Sequence, residues 1–358
     1  MYNWICCWEK PKGKERPMRK ILTAMSGGVD SAVTAGLLRQ MGYEPGGATM
    51  LLRPGGEQEA ADAAAAARRL NLEFHCFQWQ PEFERMVIAP FAQVYQQGGT
   101  PNPCIFCNKA LKFGKFLEAA LELGYDGMAT GHYARIEQDP ETGRFLLKTA
   151  KDAAKDQTYM LAGLSQHQLS HTVLPLGDYT KAEVRQQAEA MGLLEQQVKK
   201  DSQDICFVPD GDYMGFLCQW GLEPQPGNFI APDGTVLGPH RGYEGYTIGQ
   251  RRGLEIAAGR RVYVLSKPRP DVVIGDGDAL FTTDVTVTGT NWIPWEQPPE
   301  RFRASVKLRY TAKPAACTVT VTDGGAQLVF DEPQRAVTPG QAAVFYENDL
   351  VLGSGTIV

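Results

Sequence analysis

The chain has no Walker motif: G-x-x-x-x-G-K-[ST] occurs nowhere in its 358 residues. The commonest sequence route to a phosphate loop is therefore excluded. No apolar run reaches the ~20 residues that a membrane-spanning helix needs, so no membrane partner is expected. Positive charge is not in surplus. Lys and Arg number 36 against 41 Asp and Glu, a net charge of −5. Any nucleic-acid contact must then rely on a local basic face, not on bulk charge. Histidine is scarce, and His75, His167, His171 and His240 show no ligand spacing. They are expected at the surface or satisfied in a core. The one Cys-x-x-Cys, Cys104 to Cys107, lacks the second pair of a structural zinc site. No internal repeat is visible. Residues 1–17 hold Trp4, Cys6, Cys7 and Trp8 and then a basic stretch. That is too short and too weakly apolar for a signal peptide, and it reads as a disordered leader. Eight cysteines without a secretory signal suit a reducing cytoplasm, with thiols kept for chemistry or metals. Cys76, Cys218 and Cys317 are expected to be packing residues.

What is present centres on Ala24-Met25-Ser26-Gly27-Gly28-Val29-Asp30-Ser31. An apolar run, Ile21 to Met25, reads as a buried strand before it, and Ala32 to Met41 as a helix after it. Two glycines let the backbone turn and approach a ligand closely. Ser26 and Ser31 add hydroxyls, and the helix start adds free N–H groups and a positive dipole end, which together make an anion site. The hexapeptide resembles the SGGxDS pyrophosphate loop (PP-loop) of ATP pyrophosphatases, which split ATP into AMP and pyrophosphate.

Further along, strand patterns at 46–52 and 72–77 alternate with helical patterns at 57–70 and 81–97. Alternation of this kind predicts a parallel sheet covered on both faces, with ligands beyond the carboxyl ends of its strands. Thr100 to Asn108 carries two prolines before Cys104, which places Cys104 and Cys107 on a loop entering a helix over 109–123. The helix start and Lys109 are expected to favour their thiolates. Asp126 to Thr130 and Arg144 to Lys148 read as strands. Thr180-Lys-Ala-Glu183 is a capping box opening a helix that runs to Met191. Asp201 to Phe207 brings a third notable cysteine, Cys206.

From about Gly211 the chain turns to short β-like runs between Gly and Pro turns. Tyr243 to Arg252 reads as a turn-rich strand pair that ends in two cations, Arg251 and Arg252. In Arg301 to Tyr310, the cations Arg301, Arg303, Lys307 and Arg309 alternate with Phe302, Ala304, Val306 and Leu308. As a strand this aligns four cations on one face. That face is either a phosphate track or merely solvated.

Taken together, the loop Ser26 to Ser31, Thr100 to Asn108, Gly131-His132, Lys155-Asp156-Gln157 and Asp201 to Phe207 resemble the bacterial tRNA-specific 2-thiouridylases. The resemblance runs from about Lys20 to the end. It implies an α/β fold: a Rossmann-like PP-loop ATP pyrophosphatase domain over 18–215, a central β-rich domain over 216–283, and a β-barrel tRNA-binding domain over 284–358. It implies that ATP with Mg2+ adenylates the 2-carbonyl oxygen of the wobble uridine, and that sulfur then replaces it, giving 2-thiouridine, AMP and pyrophosphate. Ala24 to Ser31, Met50 and Gly131 are implied to contact ATP. Asn102, Pro103 and Cys104 are implied to meet the target base. His132, Lys155, Asp156, Gln157, Arg309, Tyr310 and Gln341 are implied to contact tRNA. Cys206 is implied to carry a persulfide and Cys107 to act as nucleophile, with a cysteine desulfurase or persulfide relay protein as sulfur donor. Cys104 stands where many relatives have Asp. It leaves open an alternative in which Cys104, Cys107 and Cys206 ligate a [4Fe-4S] cluster that holds the sulfur. Another PP-loop enzyme acting on a different tRNA base is the further alternative.

Overall fold

The computed structural model describes residues 19–193, 205–208, 211–257 and 259–358. The expected leader, and Asp201 to Asp204 of the third motif, lie outside them. The chain starts as β1 (Lys20–Ala24), α1 (Val29–Gln40), β2 (Glu44–Leu51), α2 (Glu57–Arg69) and β3 (Phe74–Gln78). Next come a continuous helical stretch over 80–96, α3, and another over 103–122, α4. Both contain π-helical turns, Glu84–Ile88 in α3 and Cys107–Lys115 in α4. β4 (Gly127–Ala129), the hairpin β5 (Arg135–Gln138) and β6 (Phe145–Lys148), α5 (Thr158–Leu161), α6 (Gln166–Ser170), β7 (Thr172–Val173) and α7 (Lys181–Ala190) complete this part.

β3, β2, β1, β4 and β7 lie side by side in that order, every pairing parallel. Ile21, Leu22 and Thr23 of β1 are all buried, as expected of a central strand covered on both faces. The order reverses at β1. The turns after β1 and β4 therefore open into one crevice, where such sheets bind ligands. The capping box predicted at Thr180 is present, with Glu183 reaching back to the Thr180 N–H at 2.6 Å.

After helix α8 (Tyr213–Gln219) a four-stranded sheet forms from β8 (Gly227–Ile230), β9 (Val236–His240), β10 (Tyr263–Ser266) and β11 (Val272–Gly275). The strand pair expected over 243–252 is absent. That stretch is a 3-10 turn at Tyr243–Gly245 followed by further turns. Its glycines at 245, 249 and 253 break strand pairing, and Gly249 and Gly253 have positive φ.

The last part holds β12 (Phe281–Trp292), β13 (Arg301–Lys307), β14 (Ala315–Thr322), β15 (Gly325–Arg335), β16 (Ala342–Glu347) and β17 (Leu350–Ile357). They close into an antiparallel barrel through the β12–β17 pairing. The β5–β6 hairpin of the first part extends this sheet by pairing β6 with β17. Ile293, Val344, Tyr346 and Val351 of the barrel region share one buried cluster with Leu22, Leu111, Phe113 and Phe116. Fully burying one such side chain contributes about 1.5–3 kcal/mol, so the barrel is packed firmly onto the first part.

Alternation along β13 is as expected, with Ala304 and Val306 buried and Arg301 and Arg303 exposed. The four-cation face is not. Arg303 is held by both oxygens of Asp331. β13 ends at Lys307, so Arg309 leaves the strand. Two of the packing cysteines are corrected too. Cys317 is buried, but Cys76 and Cys218 are exposed. His240 is buried against the rings of Phe229 and Tyr246 with neither ring nitrogen hydrogen-bonded. Burial holds it below the ordinary imidazole range.

Candidate active site

At the nucleotide end, Gly27 has φ +75°. A Cβ there would lie 2.8 Å from the Glu59 carbonyl oxygen, so only glycine suits the turn. The loop is closed by its own serine: the Ser26 N–H donates to Ser31 Oγ at 3.2 Å, and Ser31 Oγ donates to the Gly28 carbonyl at 2.9 Å. No side chain caps the start of α1, which leaves its first N–H groups for an anion. The Gly131 turn presses on the same loop, where a Cβ would come 3.1 Å from the Ser31 nitrogen. This cradle fits the phosphates of ATP.

Asp30 raises an electrostatic problem, because a carboxylate beside polyphosphate repels it. Lys181 answers it. Its Nζ meets both Asp30 oxygens at 2.9 and 2.7 Å, and Tyr133 donates to Oδ1 at 3.2 Å. Lys181 is 13% exposed, so the pair lies in a medium where charge counts for more than in water. Sequence reading missed Lys181 because it lies within the capping box, which accounts for a helix start without any ligand role.

The sulfur end is built differently. Pro103 occupies the first turn of α4, so Cys104 and Cys107 are helical, not on a loop. Proline is tolerated in a first turn, where its missing N–H costs nothing. Asn102 caps that turn, accepting from the Cys104 N–H at 3.1 Å, and its amide reaches Met160 Sδ. The π winding from Cys107 matters for charge. Its turns close at i+5, which brings Lys112 back over Cys107. Regular α geometry would turn it away.

Lys112, not Lys109, is the cation felt by Cys104 and Cys107, and Cys206 feels both Lys112 and Arg53. Burial nevertheless dominates. It pushes the Cys107 thiol up to about 11 and raises Cys104 and Cys206 as well. The expected thiolates are thus corrected to neutral thiols at pH 7, because burial disfavours charge more than Lys112 supports it. Cys107 feels both other cysteines, so the structure brings the three together. All three are free thiols. Among the described residues no group of three His, Cys, Asp or Glu side chains is arranged to hold a metal ion.

His132 joins the two ends. It follows Gly131, accepts or donates at Thr130 Oγ1 over 2.7 Å, and packs on Phe113. Burial and then Lys112 push it down to about 3, so it is neutral near pH 7. Asp156 and Gln157 are occupied with the backbone. Asp156 accepts from the N–H groups of Ala150 and Thr158, and Gln157 from that of Tyr133. Gln341 donates to the Thr100 carbonyl at 2.7 Å. Arg309 Nη2 donates to the carbonyls of Ile248 and Ala336 and to Thr338 Oγ1. Tyr310 is 40% exposed, and its hydroxyl feels Cys104 and Lys155. Met50, at the end of β2, packs on the main core.

A glycine cradle at the reversal point of a parallel sheet, with a domain of four strands and a closed barrel behind it, defines a PP-loop protein that carries two β domains. The tRNA methyl transferase HUP domain model matches residues 19–210, the tRNA methyl transferase PRC-barrel domain model 215–275, and the aminomethyltransferase β-barrel domain model 282–357. A relative from Carboxydothermus hydrogenoformans named tRNA-specific 2-thiouridylase MnmA is 45% identical, over 95% of this chain and 97% of its own. Relatives of the same name from Moorella thermoacetica and Halothermothrix orenii are 46% and 44% identical, over 94% and 95% of this chain and 98% and 99% of theirs. The chain belongs to the tRNA-specific 2-thiouridylase MnmA family.

Proposed function

We propose that this protein thiolates the wobble uridine of tRNA, using ATP to turn the 2-carbonyl oxygen into a leaving group. The observation that carries the reading is one continuous arrangement. The Gly131 turn touches the ATP loop, His132 follows it, and Lys112 faces both His132 and the cysteines. This supports a reading in which nucleotide and sulfur chemistry share one crevice. Ser26 to Ser31 and the uncapped α1 start hold the phosphates, with Mg2+ sharing their charge when bound.

The sulfur step balances as follows. A donor protein, of the cysteine desulfurase or persulfide relay class, leaves Cys206 as a persulfide. The Cys107 thiolate attacks the inner sulfur and forms a Cys107–Cys206 disulfide. The outer sulfur leaves as hydrosulfide and attacks C2 of the adenylated uridine, and AMP departs. A dithiol reductant returns both thiols. Asn102, Pro103 and Cys104 flank the base. His132, Lys155 and Tyr310 are assigned to the RNA side of the site, and Asp156, Gln157, Arg309 and Gln341 hold the site's frame through the hydrogen bonds described above.

No helix among the described residues is long and apolar enough to cross a membrane, and we place the activity in the cytoplasm, where its substrate is. The test is Cys206→Ser. It is expected to abolish 2-thiouridine in nucleosides digested from tRNA while leaving tRNA affinity within twofold. Retained thiolation would overturn the role of Cys206.

A further inference from the structure

We infer that Asn108 is a positioning residue for the sulfur step, fixing the cysteine-bearing turn of α4 to Met160 of α5. This rests on the thiolation reading above and adds a residue to which that reading gives no role. Asn108 follows Cys107 directly, inside the π-helical part of α4. It is 3% exposed, too buried to touch a base. Its Nδ2 donates to the Met160 carbonyl at 3.2 Å. Its Oδ1 is buried with no hydrogen-bond partner among the described residues. Turning the amide round would not help, because a carbonyl only accepts and the nitrogen has to face it.

Stability does not account for this amide. The bond satisfies one carbonyl and leaves Oδ1 unsatisfied, and an unpaired buried acceptor costs at least as much as a neutral hydrogen bond gains. Leucine, of similar volume, would remove the bond and the unpaired oxygen together, a change close to neutral for folding. What asparagine adds is a place for the turn, not folding energy.

Two asparagines bracket the cysteines, and both end on Met160. Asn102 accepts from the Cys104 N–H with its Oδ1 and donates from Nδ2 to Met160 Sδ at 3.5 Å, while Asn108 holds the Met160 main chain. Met160 is itself rooted. Its N–H donates to the Gln157 carbonyl at 3.0 Å, and Gln157 exchanges two bonds with the Tyr133 backbone, at 3.0 and 2.9 Å. The turn with Cys104 and Cys107 is thereby tied to the frame that carries His132 and Lys155, and not only to its own helix. In the sulfur step Cys107 has to meet the inner sulfur of the Cys206 persulfide in line with the bond that breaks. A small misplacement of a reacting atom is felt strongly in rate.

The test compares two sulfur supplies on the full chain, with ATP, Mg2+ and an unmodified tRNA transcript. A cysteine desulfurase with cysteine loads Cys206, whereas sodium sulfide bypasses the attack by Cys107. Asn108→Leu is expected to slow desulfurase-supported thiolation about tenfold, the loss of one bond felt in the transition state. Sulfide-supported thiolation is expected to stay within about twofold, and the melting temperature within about 3 °C of wild type. Met160→Leu keeps the carbonyl and removes the thioether. It is expected to show the same split at about threefold, and it carries the test should Asn108→Leu not fold. Desulfurase-supported thiolation at the wild-type rate in both variants overturns the inference. So does an equal loss with both supplies, which would make Asn108 a structural residue only. Wild-type protein that forms no 2-thiouridine from either supply overturns the thiolation reading itself, and the wild type alone tells that failure apart.

Discussion

The two ends of the crevice handle charge in opposite ways. At the proposed nucleotide end, Asp30 is already paired with Lys181, and Ser31 closes its own loop. At the sulfur end charge is withheld. Desolvation raises all three thiols, most of all the half-buried Cys107, although Cys104 and Cys206 keep exposed surface; Lys112 acts on all three and Arg53 on Cys206. A phosphate cradle works by being preorganised, so its dipoles cost nothing to reorient. A reactive sulfur is protected by being a poor nucleophile until its substrate is in place. One crevice can then hold ATP and thiols together without idle chemistry.

The sharpest way to break the comparison is Lys181→Ala. It leaves Asp30 uncompensated beside polyphosphate, and removing one fixed donor of this kind costs about 100-fold or more in rate. We expect tRNA-dependent pyrophosphate release to fall by that order, and transfer from a preloaded persulfide to a preactivated base to be spared. A loss of sulfur transfer with normal pyrophosphate release would place Lys181 at the wrong end.

The second effect is on pH. Cys107 is pushed up to about 11, so its thiolate fraction rises about tenfold per pH unit through the usable alkaline range. Sulfur transfer under single turnover is expected to follow with a slope near one between pH 7 and 9, while pyrophosphate release stays flat. Lys112→Ala is expected to lower transfer at every pH by about tenfold, because the cation that favours the Cys107 thiolate is lost. A transfer rate that is flat with pH would mean that Cys107 is not the attacking group.

The contrast between the ends was only half legible in the chain. Ser26 to Ser31 carries its geometry in local residue types, so strand, turn and helix were readable, as was the Thr180 capping box. What pairs with Asp30 was not, because Lys181 lies 151 residues away and no local pattern links them. The thiols were misread for the same reason. A helix start and a lysine argue for thiolate locally, whereas burial comes from elements distant in sequence. The π winding of Cys107–Lys115 leaves no mark in residue pattern, and it is Lys112, five residues on, that acts on Cys107. On β13 the alternation was legible, but Asp331, which takes Arg303, lies on another strand.

The smallest effect concerns how the barrel steadies the sulfur end. Gln341 donates to the Thr100 carbonyl, and the Thr100 N–H donates to the Pro339 carbonyl at 2.8 Å. Both bonds fix the start of the cysteine segment, and neither reaches the ATP loop. Losing one hydrogen bond of roughly 1 kcal/mol amounts to about fivefold in rate if it is felt only in the transition state. Gln341→Ala is therefore expected to lower kcat for sulfur transfer about fivefold, with tRNA affinity within twofold and pyrophosphate release unchanged. Were affinity to fall instead, Gln341 would be a direct RNA contact, and the barrel would act on the substrate and not on the cysteine segment. A variant that slowed both half-reactions equally would show the two ends to be mechanically coupled, and the division of labour drawn between them would fail.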